Sequence, residues 1–143
     1  MPLKMTSDEL RFISILENLT GAVPRDCVWI ADKNRVIFVI ESNDVGKVIG
    51  IGGSTIDRVR QQLKKTVEIV EYSSEPEKFL QKCLAPARIS KVSITKKRSQ
   101  KQAIVTVKSS EKGKAIGKNG RNIERSRLLM KRHFNIDNVI IST

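Results

Sequence analysis

The chain has one histidine and two cysteines among its 143 residues, so most metal and catalytic chemistry lacks the side chains it requires. Cys27 and Cys83 lie one in each half, no Cys-x-x-Cys pair occurs, and His133 alone cannot complete a zinc site. No nucleophile with a partner base and no acid–base pair of carboxylates is recognisable. We therefore expect a non-enzymatic protein without metal, cofactor or small-molecule substrate, and two buried, reduced cysteines.

Long apolar segments and aromatic residues are also scarce. Residues 1–19 carry acidic side chains early and contain no long apolar run, which excludes a signal peptide and a membrane span there. This predicts a cytoplasmic protein with no membrane partner. Aromatic residues make up 4% of the chain, which disfavours nucleic-acid modules that stack bases on exposed rings.

Acidic residues are rare in one half only. The formal net charge is +12 and the pI is about 10.1. Residues 1–72 contain 10 Lys+Arg and 10 Asp+Glu, whereas residues 73–143 contain 17 and 5, so the second half carries the whole excess. Such a balance favours an anionic partner, and the second half would supply the long-range attraction.

A thirteen-residue segment occurs twice. GKVIGIGGSTIDR at residues 46–58 and GKAIGKNGRNIER at residues 113–125 lie 67 positions apart and share seven residues at matching positions. A repeat of this kind indicates the architecture before any single motif is interpreted. Combined with the length of the chain, it predicts two small domains, residues 1–73 and residues 74–143.

Both halves show the same order of predicted elements: helix, strand, strand, helix, glycine loop, helix, strand. Thr6 or Ser7 can cap the first helix, which Gly21 and Pro24 would end. β-Branched and aromatic residues then predict two strands around a turn at residues 32–34. Helical spacing predicts apolar stripes in the two helices of the first half, formed by Leu10, Phe12, Ile13 and Leu16, and by Ile56, Val59 and Leu63.

Each copy of the repeat places Gly-x-x-Gly between two helical segments, at residues 50–53 and 117–120. The glycines allow a sharp turn and leave backbone N–H groups accessible, and the following helix adds the positive end of its dipole. A phosphate backbone can approach such a surface closely. The spacing fits neither a Walker A loop nor a dinucleotide Gly-x-Gly-x-x-Gly motif. A purely structural role, in which the glycines only turn the chain between helices, is disfavoured because the pattern occurs twice, each time at the same place in the order of elements.

The segments VIGIGGSTI and AIGKNGRNI resemble the signature of the KH domain, a single-stranded nucleic-acid binder whose loop holds about four backbone nucleotides. The extra helix and strand ahead of each core resemble the prokaryotic, type II arrangement. The resemblance implies an α+β fold of two tandem type II KH domains, each a three-stranded sheet packed against helices. A tandem of this kind resembles the archaeal NusA-like transcription factors. That resemblance implies transcription termination or antitermination, single-stranded RNA as the partner, and RNA polymerase as a candidate second partner.

The second copy carries the stronger candidates for phosphate contact. Lys118 lies within the loop and Lys114 precedes it, while Arg121 and Arg125 are four residues apart on the next helix and expected on one face. The first loop has only Ile51 and Gly52 at its variable positions, so the neutral half is expected either to extend the RNA track or to hold the second domain rigidly. The predicted RNA-binding residues are Lys47, Gly50, Ile51, Gly52, Gly53, Arg58, Lys114, Gly117, Lys118, Asn119, Gly120, Arg121 and Arg125.

Three functions remain open on the sequence. The first is an RNA-binding transcription factor whose two KH folds form one continuous platform for RNA. The second is a factor that binds ribosomal RNA during ribosome assembly. The third is an adaptor whose neutral half docks a protein such as RNA polymerase. A basic hairpin tip, formed by Lys96, Lys97, Arg98 and Lys101, is either solvated or an auxiliary contact for RNA or polymerase.

Overall fold

The computed structural model describes residues 3–143, which form two units, one ending at Tyr72 and one beginning at Ser73. Both units have the element order predicted from the sequence. The first contains α1 (Ser7–Thr20), β1 (Asp26–Ile30), β2 (Arg35–Ile40), α2 (Val45–Ile49), α3 (Ser54–Leu63) and β3 (Thr66–Glu71). The second contains α4 (Pro76–Cys83), β4 (Lys91–Lys97), β5 (Gln100–Thr106), α5 (Lys112–Ile116), α6 (Arg121–Phe134) and β6 (Asn138–Ser142).

Each unit has one three-stranded mixed sheet, and the two sheets share a topology. The strand orders are β1-β2-β3 and β4-β5-β6. In each sheet the first two strands pair antiparallel, and the second and third pair parallel. A parallel pair requires a crossover, which the two helices around the glycine loop provide. The loop therefore lies within the crossover that follows the central strand.

Helix α1 begins and ends where the sequence indicates. The Thr6 hydroxyl accepts from the Glu9 N–H, while the Glu9 carboxylate accepts from the Thr6 N–H, which forms a capping box. Gly21 ends the helix in the left-handed conformation, with φ of 77°. The predicted stripe is wrong at Leu10, which is 54% exposed. Glu9 is buried instead, because its other carboxylate oxygen accepts from the Trp29 N–H at 2.8 Å.

The cores lie between the sheets and their helices. Phe12 and Leu16 of α1 are buried, and so is the predicted stripe of α3. The buried residues of the first core are Phe12, Leu16, Ala22, Cys27, Val36, Phe38, Ile40, Val48, Ile56, Val59, Leu63 and Val67. In the second unit the fully buried residues include Phe79, Leu80, Cys83, Ala103, Val105, Leu129, Met130 and Val139. Both cysteines are buried free thiols, as predicted, and burial raises the pKa of Cys83 to about 12.

Candidate nucleic-acid interface

The two Gly-x-x-Gly loops have the same backbone conformation despite their different sequences. The first glycine of each loop has φ near 80°, at 76° in Gly50 and 80° in Gly117. The third position is left-handed in both, with φ of 62° in Gly52 and 57° in Asn119. The final glycines are left-handed as well. Glycine, and less readily asparagine, adopts these angles, which explains why the repeat keeps its residue types there.

The first glycine of each loop is also required by close packing. A Cβ on Gly50 would lie 2.3 Å from the hydroxyl oxygen of Thr55, and one on Gly117 would lie 2.8 Å from Cγ of Asn122. The first turn of the following helix therefore packs directly on the glycine backbone. This contact holds α2 against α3, and α5 against α6, at a short separation.

Asn122 stabilises the second loop through a buried hydrogen bond. Its side-chain amide donates to the Lys114 carbonyl at 2.8 Å, and Asn122 is only 8% exposed. One side chain thus joins α6 to the last turn of α5 across the loop. Thr55 occupies the matching position in the first unit. Neither residue was predicted from the sequence, where the only signal is a polar residue just before the isoleucine that the repeat retains.

The variable residues of both loops are exposed to solvent. Ile51 and Gly52 form the tip of the first loop, and Ile51 is 95% exposed. Lys118 and Asn119 form the tip of the second loop. The glycines that precede α3 and α6 provide no side-chain cap. The first N–H of each helix donates to a loop carbonyl, from Ser54 to Ile51 and from Arg121 to Lys118, so the later N–H groups of the first turn are the candidates to bind an external anion. The second loop adds a cation to this arrangement, whereas the first adds an apolar side chain.

The lysines that precede the loops are held by acidic neighbours one turn earlier. The Lys47 ammonium lies 3.3 Å from the Asp44 carboxylate, and that of Lys114 lies 3.5 Å from Glu111. The Arg88 N–H donates to Glu111 at 2.8 Å, and this hydrogen bond, together with nearby Lys114, lowers the pKa of the Glu111 carboxyl below its ordinary value. Both lysines remain more than half exposed, so they can still reach a phosphate.

Arg125 does not lie beside the loop surface, contrary to the prediction that it shares an exposed face with Arg121. Its residue is 8% exposed, and its guanidinium donates to the Cys83 carbonyl at 2.6 and 2.9 Å and to the Ala85 carbonyl at 3.1 Å. Arg121 is exposed, and so is Arg58, which matches Arg125 in the repeat. The structure thus gives Arg125 a structural role at the end of α4.

The remaining chemistry of the described residues is limited. Among residues 3–143, no group of three or more His, Cys, Asp or Glu side chains could hold a metal ion. Within that same part of the chain, no helix has both the length and the apolar character needed to cross a membrane.

Known proteins resemble this chain over nearly its whole length. Residues 12–74 match the family model of the KH domain, and residues 76–142 match that of the NusA-like second KH domain. The probable transcription termination protein NusA of Halococcus morrhuae is 34% identical, with coverage of 97% of this chain and 98% of that protein. The protein of the same name from Methanocaldococcus jannaschii is 28% identical over 95% of this chain and 73% of its own length. The crystal structure of APE1850 matches 96% of this chain and 100% of that one, with a TM-score of 0.86 and 34% identity.

Proposed function

The chain belongs to the archaeal NusA-like family of tandem KH proteins, and we propose that it is a single-stranded RNA-binding factor of transcription termination or antitermination. Its relatives are named as transcription termination proteins. The observation that carries the proposal is the second Gly-x-x-Gly loop, where an exposed lysine lies beside an uncapped helix N-terminus.

The second loop is the main phosphate contact in this proposal. Lys118 and the N–H groups at the start of α6 bind one stretch of RNA backbone, while Lys114 and Arg121 contact adjacent phosphates. Gly117, Asn119 and Gly120 give the loop the positive-φ backbone that carries Lys118 at its tip. Three cationic contacts with a single strand correspond to a salt slope of about −2 in a plot of log K against log salt concentration.

The first loop is the weaker contact. Gly50, Gly52 and Gly53 have the same backbone conformation as the second loop, so the first can still present N–H groups to a phosphate. Its tip carries Ile51 in place of a cation, and the unit has no net charge. Lys47 and Arg58 are its nearest basic residues, and they extend the contact with the RNA.

The other parts of the proposal follow from the transcriptional role. The protein acts in the cytoplasm, where the nascent transcript is made, and RNA polymerase is its protein partner. Its role is to bind RNA, and no reaction is assigned to it. Binding depends on phosphate contacts, so affinity falls steeply as salt concentration rises.

Fluorescence anisotropy with short single-stranded RNA and DNA of matching sequence tests the proposal. The variant Lys118→Asp with Asn119→Asp should lose RNA binding, because it places two negative charges where the phosphates approach. A matched control exists at Lys33 and Asn34, the same dipeptide, whose asparagine is also left-handed with φ of 53°. The same two aspartates there should leave RNA affinity within about twofold, since surface changes away from a site have small effects.

Three outcomes of this experiment are distinguishable. Loss of binding in the loop variant and not in the control supports the second loop as the RNA site. Equal RNA affinities of the loop variant and the control variant would contradict that assignment and place the RNA contact elsewhere on the chain. If the unmodified protein binds no RNA at any salt concentration, the adaptor function replaces the proposed one.

A further inference from the structure

A basic depression lies at the hairpin end of the second sheet, on a different part of the unit from the glycine loop. Arg98 and Ser99 connect β4 to β5. The depression has a volume of about 370 Å³ and is lined by Lys97, Arg98, Gln100, Lys101, Gln102 and Asn138. The register pairs Lys97 of β4 with Gln100 of β5, and Gln102 of β5 with Asn138 of β6. The lining residues therefore come from all three strands of the sheet.

The positive charges at this hairpin tip destabilise the fold. The register places Lys96 directly opposite Lys101, and like charges that face each other across two strands are destabilising. The nearby Asp137 carboxylate is occupied by the Lys131 ammonium at 2.6 Å and the Lys101 N–H at 2.9 Å. The tip thus keeps a positive field that an anionic ligand would relieve.

Arg98 adds a second unfavourable feature at the same place. It has φ of 60°, a left-handed conformation in which glycine or asparagine would be the relaxed choice. A bulky cation in that conformation, next to opposed lysines, is the kind of local strain that concentrates where a ligand binds.

The lining residues indicate the chemistry of the ligand. Lysine and arginine side chains bind phosphate oxygens, while the amides of Gln100, Gln102 and Asn138 both donate and accept hydrogen bonds. The six lining residues include no aromatic ring, so the surface suits backbone, ribose and base-edge contacts and not base stacking. We propose that this depression is a second RNA contact, which holds phosphates of the strand beyond the nucleotides at the second loop.

This inference rests on the proposed RNA-binding function and predicts how that binding depends on RNA length. The second loop lies at the start of α6, and β6, which lines the depression, begins shortly after that helix ends. The helix has 14 residues, which at 1.5 Å per residue separate the two ends by roughly 20 Å. A tetranucleotide centred on the loop extends to either side by less than this distance and is therefore expected to leave the depression empty, whereas a longer strand reaches both.

The test compares a tetranucleotide with a dodecanucleotide of single-stranded RNA. The variant Lys97→Gln with Lys101→Gln, two lysines that line the depression, should weaken dodecanucleotide binding by about tenfold near 0.15 M salt and make its salt slope shallower by about 1.4, as expected for two lost phosphate contacts. Tetranucleotide affinity should not change. The control variant Lys78→Gln with Lys82→Gln removes two charges from exposed positions on α4 and should leave both affinities within about twofold.

A stability measurement on the same variants separates binding from folding. Arg98→Gly should raise the thermal unfolding midpoint and weaken dodecanucleotide binding, because it removes both the strain and a cation. Equal dodecanucleotide affinity for the hairpin and control variants, or equal affinity of the unmodified chain for both RNA lengths, would overturn the second contact and leave the loop intact as the RNA site. If the unmodified chain bound neither RNA, the proposed function and this inference would both be wrong.

Discussion

Replacing Arg125 by methionine is expected to destabilise the second domain, whereas the same change at Arg58 should have little effect. The guanidinium of Arg125 donates to the carbonyls of Cys83 and Ala85 and is almost fully buried. Methionine preserves much of the side-chain volume and removes the donors. The buried Cys83 carbonyl, left without this donor, costs about 1–3 kcal/mol, whereas the carbonyl of the exposed Ala85 can accept from water. Part of the cost is offset because a charge no longer has to be buried.

The net expected loss is about 2 kcal/mol for Arg125→Met, against less than about 0.5 kcal/mol for the exposed Arg58→Met. Urea unfolding, followed separately through amide NMR signals of each domain, measures both values. Arg125→Lys should fall between them, since one ammonium replaces a guanidinium fork that reaches two carbonyls. Equal stability losses for Arg58→Met and Arg125→Met would refute the reasoning, and so would a fully stable Arg125→Met protein that no longer binds RNA.

Three further predictions concern the loop and its surroundings. Gly117→Ala should cost about 1–3 kcal/mol in stability and weaken RNA binding, since φ is 80° and a Cβ has no room there. Gly113→Ala should do neither, because a Cβ there would have nothing within 4 Å. Equal thermal unfolding midpoints for the two variants would contradict this prediction. Ile51→Lys should raise RNA affinity and steepen the salt slope by about 0.7, and an unchanged slope would mean that the first loop does not approach phosphate. The hydrogen bond from the Arg88 N–H lowers the pKa of Glu111 in the folded protein below the ordinary pKa of 4.5. The stability that this carboxylate contributes is therefore present above pH 4.5 and is lost as the pH falls through the lower pKa of the folded state. Urea midpoints measured against pH should therefore fall less steeply below 4.5 in Glu111→Gln, and parallel curves would exclude this role.

The element order and the loop conformation were predictable because backbone geometry restricts residue types so strongly there. A left-handed residue selects glycine or asparagine, and the repeat shows those types at every left-handed loop position, with Gly52 replaced by Asn119 in the second copy. The exposure of Leu10 was not predictable in this way. Hydropathy assigns Leu10 to the core and Glu9 to the surface, yet Glu9 is buried because it accepts the Trp29 N–H, a contact between distant parts of the chain.

The matching arginines of the repeat show why a basic residue's role cannot be inferred from the loop motif alone. Helix α1 ends at Gly21, whose left-handed N–H donates to the Glu17 carbonyl. Helix α4 has no glycine at its end, and the residue after Cys83 has φ of −96°. The carbonyl of Cys83, the last residue of α4, is satisfied instead by Arg125, 42 residues further along the chain, which also donates to the Ala85 carbonyl just beyond the helix.

A helix that lacks a glycine cap leaves a carbonyl that a basic side chain can satisfy. That side chain is then no longer available to bind RNA. The charge of the second domain therefore overstates its RNA-binding surface by at least this one arginine. The role of each remaining cation follows from whether the described structure already gives it an acceptor. By that criterion Lys118 at the exposed loop tip is a stronger candidate for phosphate contact than Lys114, whose ammonium is already shared with Glu111.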